Sequence, residues 1–190
     1  MEIIERRFKK FQLLSMMVSL FSLIVGLVLI KLSEYVTPIN ICLGLAGIIL
    51  VNALCSLVKY LYDGFANNVY KIEIVSGLAM LVLGIFMLFT KAENAYMVLG
   101  TYFGIYCLLS SLVKGYYTYK FLKENEDIFA LYLIISILFV VMGVLSIFNP
   151  FKFMEVTYLV SIFLVVVSVF DLMAASLFKK RSKYILKIFE

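Results

Sequence analysis

The sequence predicts an all-α polytopic membrane protein: six transmembrane helices built as three repeated hairpins, with a pseudo-threefold axis along the membrane normal. Three observations predict it: six long stretches almost free of charge, basic residues gathered on one side of them, and small residues that recur in register. Composition agrees, since 64% of the 190 residues are hydrophobic, against roughly half in a globular domain.

The first stretch runs from Phe11 to Ile30, the second from Tyr35 to Val58 and the third from Ile74 to Thr90. The fourth covers Asn94 to Val113, the fifth Ile128 to Phe151, and the sixth, Val156 to Phe178, is interrupted only by Asp171. A helix crosses the hydrocarbon in about 20 apolar residues, within a range of about 17 to 25, so all six are long enough. The connections left over are too short to hold a soluble core. Residues 1–190 therefore read as one transmembrane domain, with hairpin repeats at about 11–62, 71–119 and 128–178 and a basic cytoplasmic tail at 179–190. The first span is longer than the apolar core of a signal peptide and lacks its cleavage pattern, so it is expected to remain as an anchor.

Lys and Arg set the orientation. Of the 17 basic residues, all but Lys31, Lys91 and Lys152 fall at the two ends or in the second and fourth connections. Those regions are expected to be cytoplasmic, together with both termini. Tyr60, Tyr62, Tyr70, Tyr116, Tyr117 and Tyr119 crowd the same side, where amphipathic rings are favoured. The two ends, Ile3 to Phe11 and Lys179 to Phe189, mix basic with bulky apolar residues and are expected to lie along this interface as short amphipathic helices. The net charge of +5 suits anionic headgroups. No basic domain exists to grip nucleic acid.

The repeat is carried by small residues. Gly26, Gly84 and Gly143 fall in the odd spans, and seven residues before each lies Ser19, Gly77 or Ser136. A spacing of seven returns to one helical face after two turns, and small residues on a face let helix backbones approach closely in lipid. Gly100 and Gly104 add a GxxxG pair to the fourth span. The even spans repeat on another marker, a hydroxyl one turn before an ionisable group: Ser56 with Lys59, Ser111 with Lys114, Ser168 with Asp171. Each outer connection carries one Lys and one Glu: Lys31 with Glu34, Lys91 with Glu93, Lys152 with Glu155. Three units entering the membrane in the same sense form a parallel repeat.

Composition narrows the chemistry. Without His there is no Ser-His-Asp or Cys-His site and no His-based metal site. Cys42, Cys55 and Cys107 lie inside spans without CxxC spacing and read as small packing residues. No phosphate-cradling loop or GxSxG elbow occurs. The expectation is a protein without catalysis, metal or cofactor.

Asp171 is the leading candidate site residue, because an ionisable group within a span needs compensation. Lys59 and Lys114 occupy its equivalent positions in the other hairpins. With Ser56, Ser111 and Ser168 they form an expected intramembrane polar cluster. Two roles stay open for it: an ion pair that fixes how the hairpins assemble, or an ion site facing a cytoplasmic vestibule. Asn52, Thr101, Ser110, Ser111 and a few tyrosines are the residues available to line a wet path.

In the third unit the run Met142-Gly143-Val144-Leu145-Ser146-Ile147-Phe148-Asn149-Pro150 closes a glycine-containing odd helix with a proline. The second unit keeps Gly84 but has Lys91 at the proline's place, and the first keeps Gly26 with its proline at Pro38. This pattern resembles the HdeD-like acid-resistance membrane proteins, over about Phe11 to Arg181. The resemblance implies a bacterial plasma-membrane protein of acid or general stress tolerance, and it supplies no site residues. The alternatives are a small transporter or channel with Asp171, Lys59 and Lys114 at its inner mouth, and a scaffold that binds other membrane proteins. The expected partners are the lipid bilayer and either membrane proteins or further copies of the chain.

Overall fold

A computed structural model describes residues 2–32, 35, 37–61, 71–123, 128–148 and 153–181. All regular structure among them is helical: α1 Glu2–Leu32, α2 Pro38–Lys59, α3 Lys71–Leu88, α4 Ala95–Lys123, α5 Ile128–Phe148 and α6 Phe153–Lys180, with a single 3-10 turn at Ala92–Asn94. Five of the helices are long and apolar enough to cross a membrane. The apolar part of α3, Ile72–Leu88, is shorter. Pro38 opens α2 at its first turn, where a missing N–H is harmless and the fixed φ suits the helix. This is why that proline stands later than a terminator of α1 would.

Large apolar side chains face outward along every helix, among them Met17, Leu54, Phe86, Met97, Leu112, Ile137 and Ile162. In water such a surface would be far beyond what a monomer exposes; in lipid it is solvated. Because lipid is as apolar as these side chains, helix association must rest on close packing. The glycines supply it. The most extensive helix pairs are α4 on α5, α1 on α6 and α2 on α3. A Cβ on Gly84 would lie 2.7 Å from Leu50 Cγ of α2, and one on Gly26 would lie 3.1 Å from the Ser161 carbonyl of α6. Gly104 and Gly143 face each other across α4 and α5, where a Cβ on Gly104 would lie 2.8 Å from the Gly143 carbonyl. Gly77 sits against Ala53, Ser56 and Leu57, Gly100 is buried, and Ser136 donates to the Ser111 carbonyl at 3.1 Å. Each odd helix is thus seated on an even helix. The odd–even hairpins marked out by the sequence are not the most tightly packed pairs.

Gly44 and Gly47 of α2 would meet nothing within 4 Å on gaining a Cβ. Gly44→Ala and Gly47→Ala are therefore expected to leave the thermal midpoint in detergent unchanged or raise it, since Ala is the better helix former by about 1 kcal/mol.

The first end differs from its sequence expectation. Residues from Ile3 to Phe11 continue α1 without a break and do not form a separate surface helix. Phe8 is fully buried, with its ring centroid 6.3 Å from that of Phe178, so this turn is held by the bundle. The second end lies outside the described residues beyond Arg181, as do Glu34 and Lys152 of the outer connections. Lys91 and Glu93 are both exposed.

Candidate functional site

The halves of the helices on the side of the Lys-rich connections line a partly open polar cavity of about 130 Å³. From α1 it is lined by Gln12, Ser15 and Ser19; from α2 by Asn52, Cys55, Ser56 and Lys59; from α3 by Glu73 and Ser76. The fourth helix contributes Tyr106, Ser110, Lys114 and Tyr117, α5 contributes Tyr132 and Phe139, and α6 contributes Asp171 and Phe178. Tyr106 and Tyr117 are eleven residues apart on α4, so the cavity extends about 16 Å along the bundle. A smaller recess adjoins it, lined by Ser22, Leu164 and Ser168 and sharing Ser19, Asn52, Tyr106 and Asp171 with the larger space.

Two ion pairs face this cavity. Lys114 Nζ donates to Asp171 Oδ1 at 2.5 Å, and the same ammonium stands 5.7 Å from the centroid of the Tyr132 ring. Lys59 Nζ lies 3.4 Å from Glu73 Oε2. The other oxygen, Glu73 Oε1, accepts a hydrogen bond of 2.8 Å from the Tyr117 hydroxyl. Tyr117 follows Lys114 by three residues on α4, which brings both pairs to one face of that helix. The Asp171 and Lys114 side chains keep 24% and 20% exposure, whereas Glu73 keeps 8%. Glu73 Oε2 is buried and accepts no hydrogen bond from the described residues. A buried carboxylate oxygen left this way needs a donor.

Aromatic rings bound the cavity at either end. At the end nearer Phe8, Phe8 and Tyr132 stack on Phe178 and Tyr117 stacks on Phe121, with Phe121 edge-on to Phe178 and the Tyr132 and Phe178 centroids 5.3 Å apart. At the deep end Phe103 meets Phe163, and Phe139 meets Tyr106 and Phe163, edge-on, the last pair at 5.2 Å. Asn52 Nδ2 reaches the Ile48 carbonyl at 3.1 Å and the Tyr106 hydroxyl at 3.4 Å, tying α2 to that deep cluster.

The structure brings Asp171 to Lys114 and places Lys59 and Ser56 on the same cavity. It pairs Lys59 with Glu73, not with Asp171. Ser168 is buried beside Asp171 in the recess. Ser111 departs from the expected cluster: its Oγ donates to the Leu108 carbonyl at 2.6 Å and its own carbonyl faces α5. Its neighbour Ser110 lines the cavity instead, because one residue turns a helix by about 100°. Thr101 is not among the lining residues. Sequence reasoning missed Glu73, Gln12 and the roles of Tyr106 and Tyr117. The signal for Glu73 was present: it lies among the first residues of an otherwise apolar helix, after a connection that also holds Lys59 and Lys71.

No match was found among curated proteins or solved structures. A family described as a short repeat of unknown function, DUF308, matches twice, at residues 91–148 and 134–189. The first copy coincides with the tightly packed α4–α5 pair and the second runs through most of α5 into α6 and beyond. With both copies covering more than half of an all-helical chain whose lipid-sized helices pair through glycines, this protein belongs to the DUF308 repeat family.

Proposed function

We propose that this chain is a non-enzymatic protein of the bacterial plasma membrane, HdeD-like, that supports tolerance of acid or general stress through its inner cavity. In this reading α3 also crosses, both termini are cytoplasmic, and the three glycine-seated pairs are arranged about a pseudo-threefold axis. The one-sided basic residues, the outward apolar surface and the DUF308 repeats support it. The observation that carries it is the pair of ion pairs in one membrane-embedded cavity. At neutral pH two ammonium groups and two carboxylates balance. Loss of both counter-charges would leave Lys59 and Lys114 facing one space, where like charges repel. Breaking these pairs would relax the bundle, and that change is the response to stress in this reading.

The test is survival at low external pH of cells lacking the protein, complemented with wild type or Asp171→Asn at matched membrane levels. Wild type is expected to restore survival and the variant to fail. Equal rescue by both, or by neither, overturns the ion-pair reading.

A second reading, a small transporter or channel, is favoured by the recess that extends the cavity past Asp171 to Ser22 and Leu164. Vesicles carrying the purified protein and a trapped pH dye would respond to an imposed proton gradient if the path conducts protons. A response equal to that of empty vesicles removes proton conduction.

A further inference from the structure

We propose that the inner cavity is a binding site for a small zwitterion, a molecule of glycine size that carries one ammonium and one carboxylate group. The site does not rest on the acid response proposed above. Three observations define the ligand. The first is charge: Lys59 and Lys114 face Glu73 and Asp171, so the cavity is neutral overall but strongly divided. A lone ion would bring a net charge into a membrane-embedded site, which is expensive, whereas a neutral dipolar molecule meets opposite charges at both ends. The second is the unsatisfied acceptor. Glu73 Oε2 is buried without a hydrogen bond from the described residues, and the Lys59 ammonium lies at 3.4 Å, beyond the usual range for an N–H···O bond. A ligand ammonium supplies the missing donor, while its carboxylate turns toward the lysines. The third is size. At about 130 Å³ the cavity is close to one of about 150 Å³ that takes benzene, so it accommodates about five or six non-hydrogen atoms.

The polar lining fits the same class. Asn52, Ser56 and Ser76 offer neutral donors and acceptors on α2 and α3, and the aromatic clusters at each end limit ligand length. Larger amino acids would have to displace Phe178 or Phe139, so small zwitterions are favoured by shape.

The deciding experiment is equilibrium binding of radiolabelled glycine to the full chain in lipid nanodiscs. Alanine, a zwitterion of six non-hydrogen atoms that keeps the ammonium, is the matched competitor, with acetate and methylammonium as the single-charge ones, all at equal ionic strength. Saturable binding is expected, displaced by alanine far better than by either single-charge ion. Affinity is expected to fall at least about tenfold, the equivalent of 1.4 kcal/mol, in Glu73→Gln. The same fall is expected in Ser15→Leu, which fills the cavity and leaves all four charges. Circular dichroism checks that each variant is folded, and if Glu73→Gln is not, Ser15→Leu and the competition series decide. Absence of saturable glycine binding overturns the proposal, as does retained affinity in the folded variants. Equal competition by methylammonium alone or acetate alone would make this a simple cation or anion site and also overturn it. None of these results alters the outcome of the acid-survival test, so the two readings fail separately.

Discussion

Gly104→Leu is expected to part α4 from α5 and abolish the folded bundle. A Cβ alone at this position would lie 2.6 Å from Ile147 Cγ1, 2.8 Å from the Gly143 carbonyl oxygen and 3.1 Å from the Ile147 amide nitrogen. Two of those atoms are backbone, so no rotamer change can relieve the contact; the helices themselves must separate. Overpacking a well-filled core costs about 1–3 kcal/mol, occasionally more, and Gly104→Ala should already sit in that range. Leucine adds bulk with nowhere to go and should exceed it. The damage spreads because this contact lies close to Leu108 and to the Ser136–Ser111 hydrogen bond that seats the same two helices. Thermal melting of purified protein, followed by loss of the monodisperse peak on size exclusion, checks it. Gly84→Ala is the instructive comparison. There the nearest atoms belong to the Leu50 side chain, which can rotate away, so the loss should be clearly smaller than at Gly104. Equal losses would remove the distinction between backbone and side-chain contact.

Glu73→Gln is expected to be the most destabilising single charge change in the cavity. It strips the buried counter-charge from Lys59, whose side chain keeps only 13% exposure, and weakens the acceptor of the Tyr117 hydroxyl. Breaking a buried pair by removing one partner costs about 3–5 kcal/mol. Asp171→Asn should cost less, because that pair keeps more contact with the open cavity and solvent screens it. The double variant Lys59→Met with Glu73→Leu should recover much of the loss, since a well-packed apolar pair often equals a buried ionic one. Chemical unfolding of the wild type and these three variants ranks the losses. A Glu73→Gln loss no larger than that of Asp171→Asn would contradict the burial argument. A double variant as weak as the single would mean that the pair itself, not the orphaned lysine, holds α2 to α3.

Several of these positions are legible in the amino-acid sequence alone. Span limits follow from length and charge, which the bilayer imposes on sequence directly, and Asp171 stands out because it interrupts an otherwise uncharged run. Glu73 is harder to see. Charge is unremarkable at a helix end, and only the fold shows that this end is turned inward, under Tyr117. The glycines are legible as close-packing points, but their partners are not. A spacing of 58 or 59 residues marks equivalent positions in each unit and says nothing about whether Gly84 meets the helix before it or the one after it. The same ambiguity places Ser111 in the cavity: a three-residue offset from Lys114 marks one face only to within a turn, and the true lining residue is its neighbour Ser110.

The pairing of α1 with α6 bears on how the chain is made. As the ribosome feeds helices into the bilayer, α2 can close on α3 and α4 on α5 as soon as the second member emerges. The first helix must wait until the last has been inserted. During that interval Ser15 and Ser19 are already content, since their hydroxyls bond the Phe11 and Ser15 carbonyls of their own helix. Lipid can therefore hold α1 alone at little expense. Its partner surface around Ser161 and Val165, which receives Gly26, arrives only with α6. Release of a nascent chain halted after α5 should yield two finished pairs and one waiting helix, a natural point for an insertion chaperone to bind.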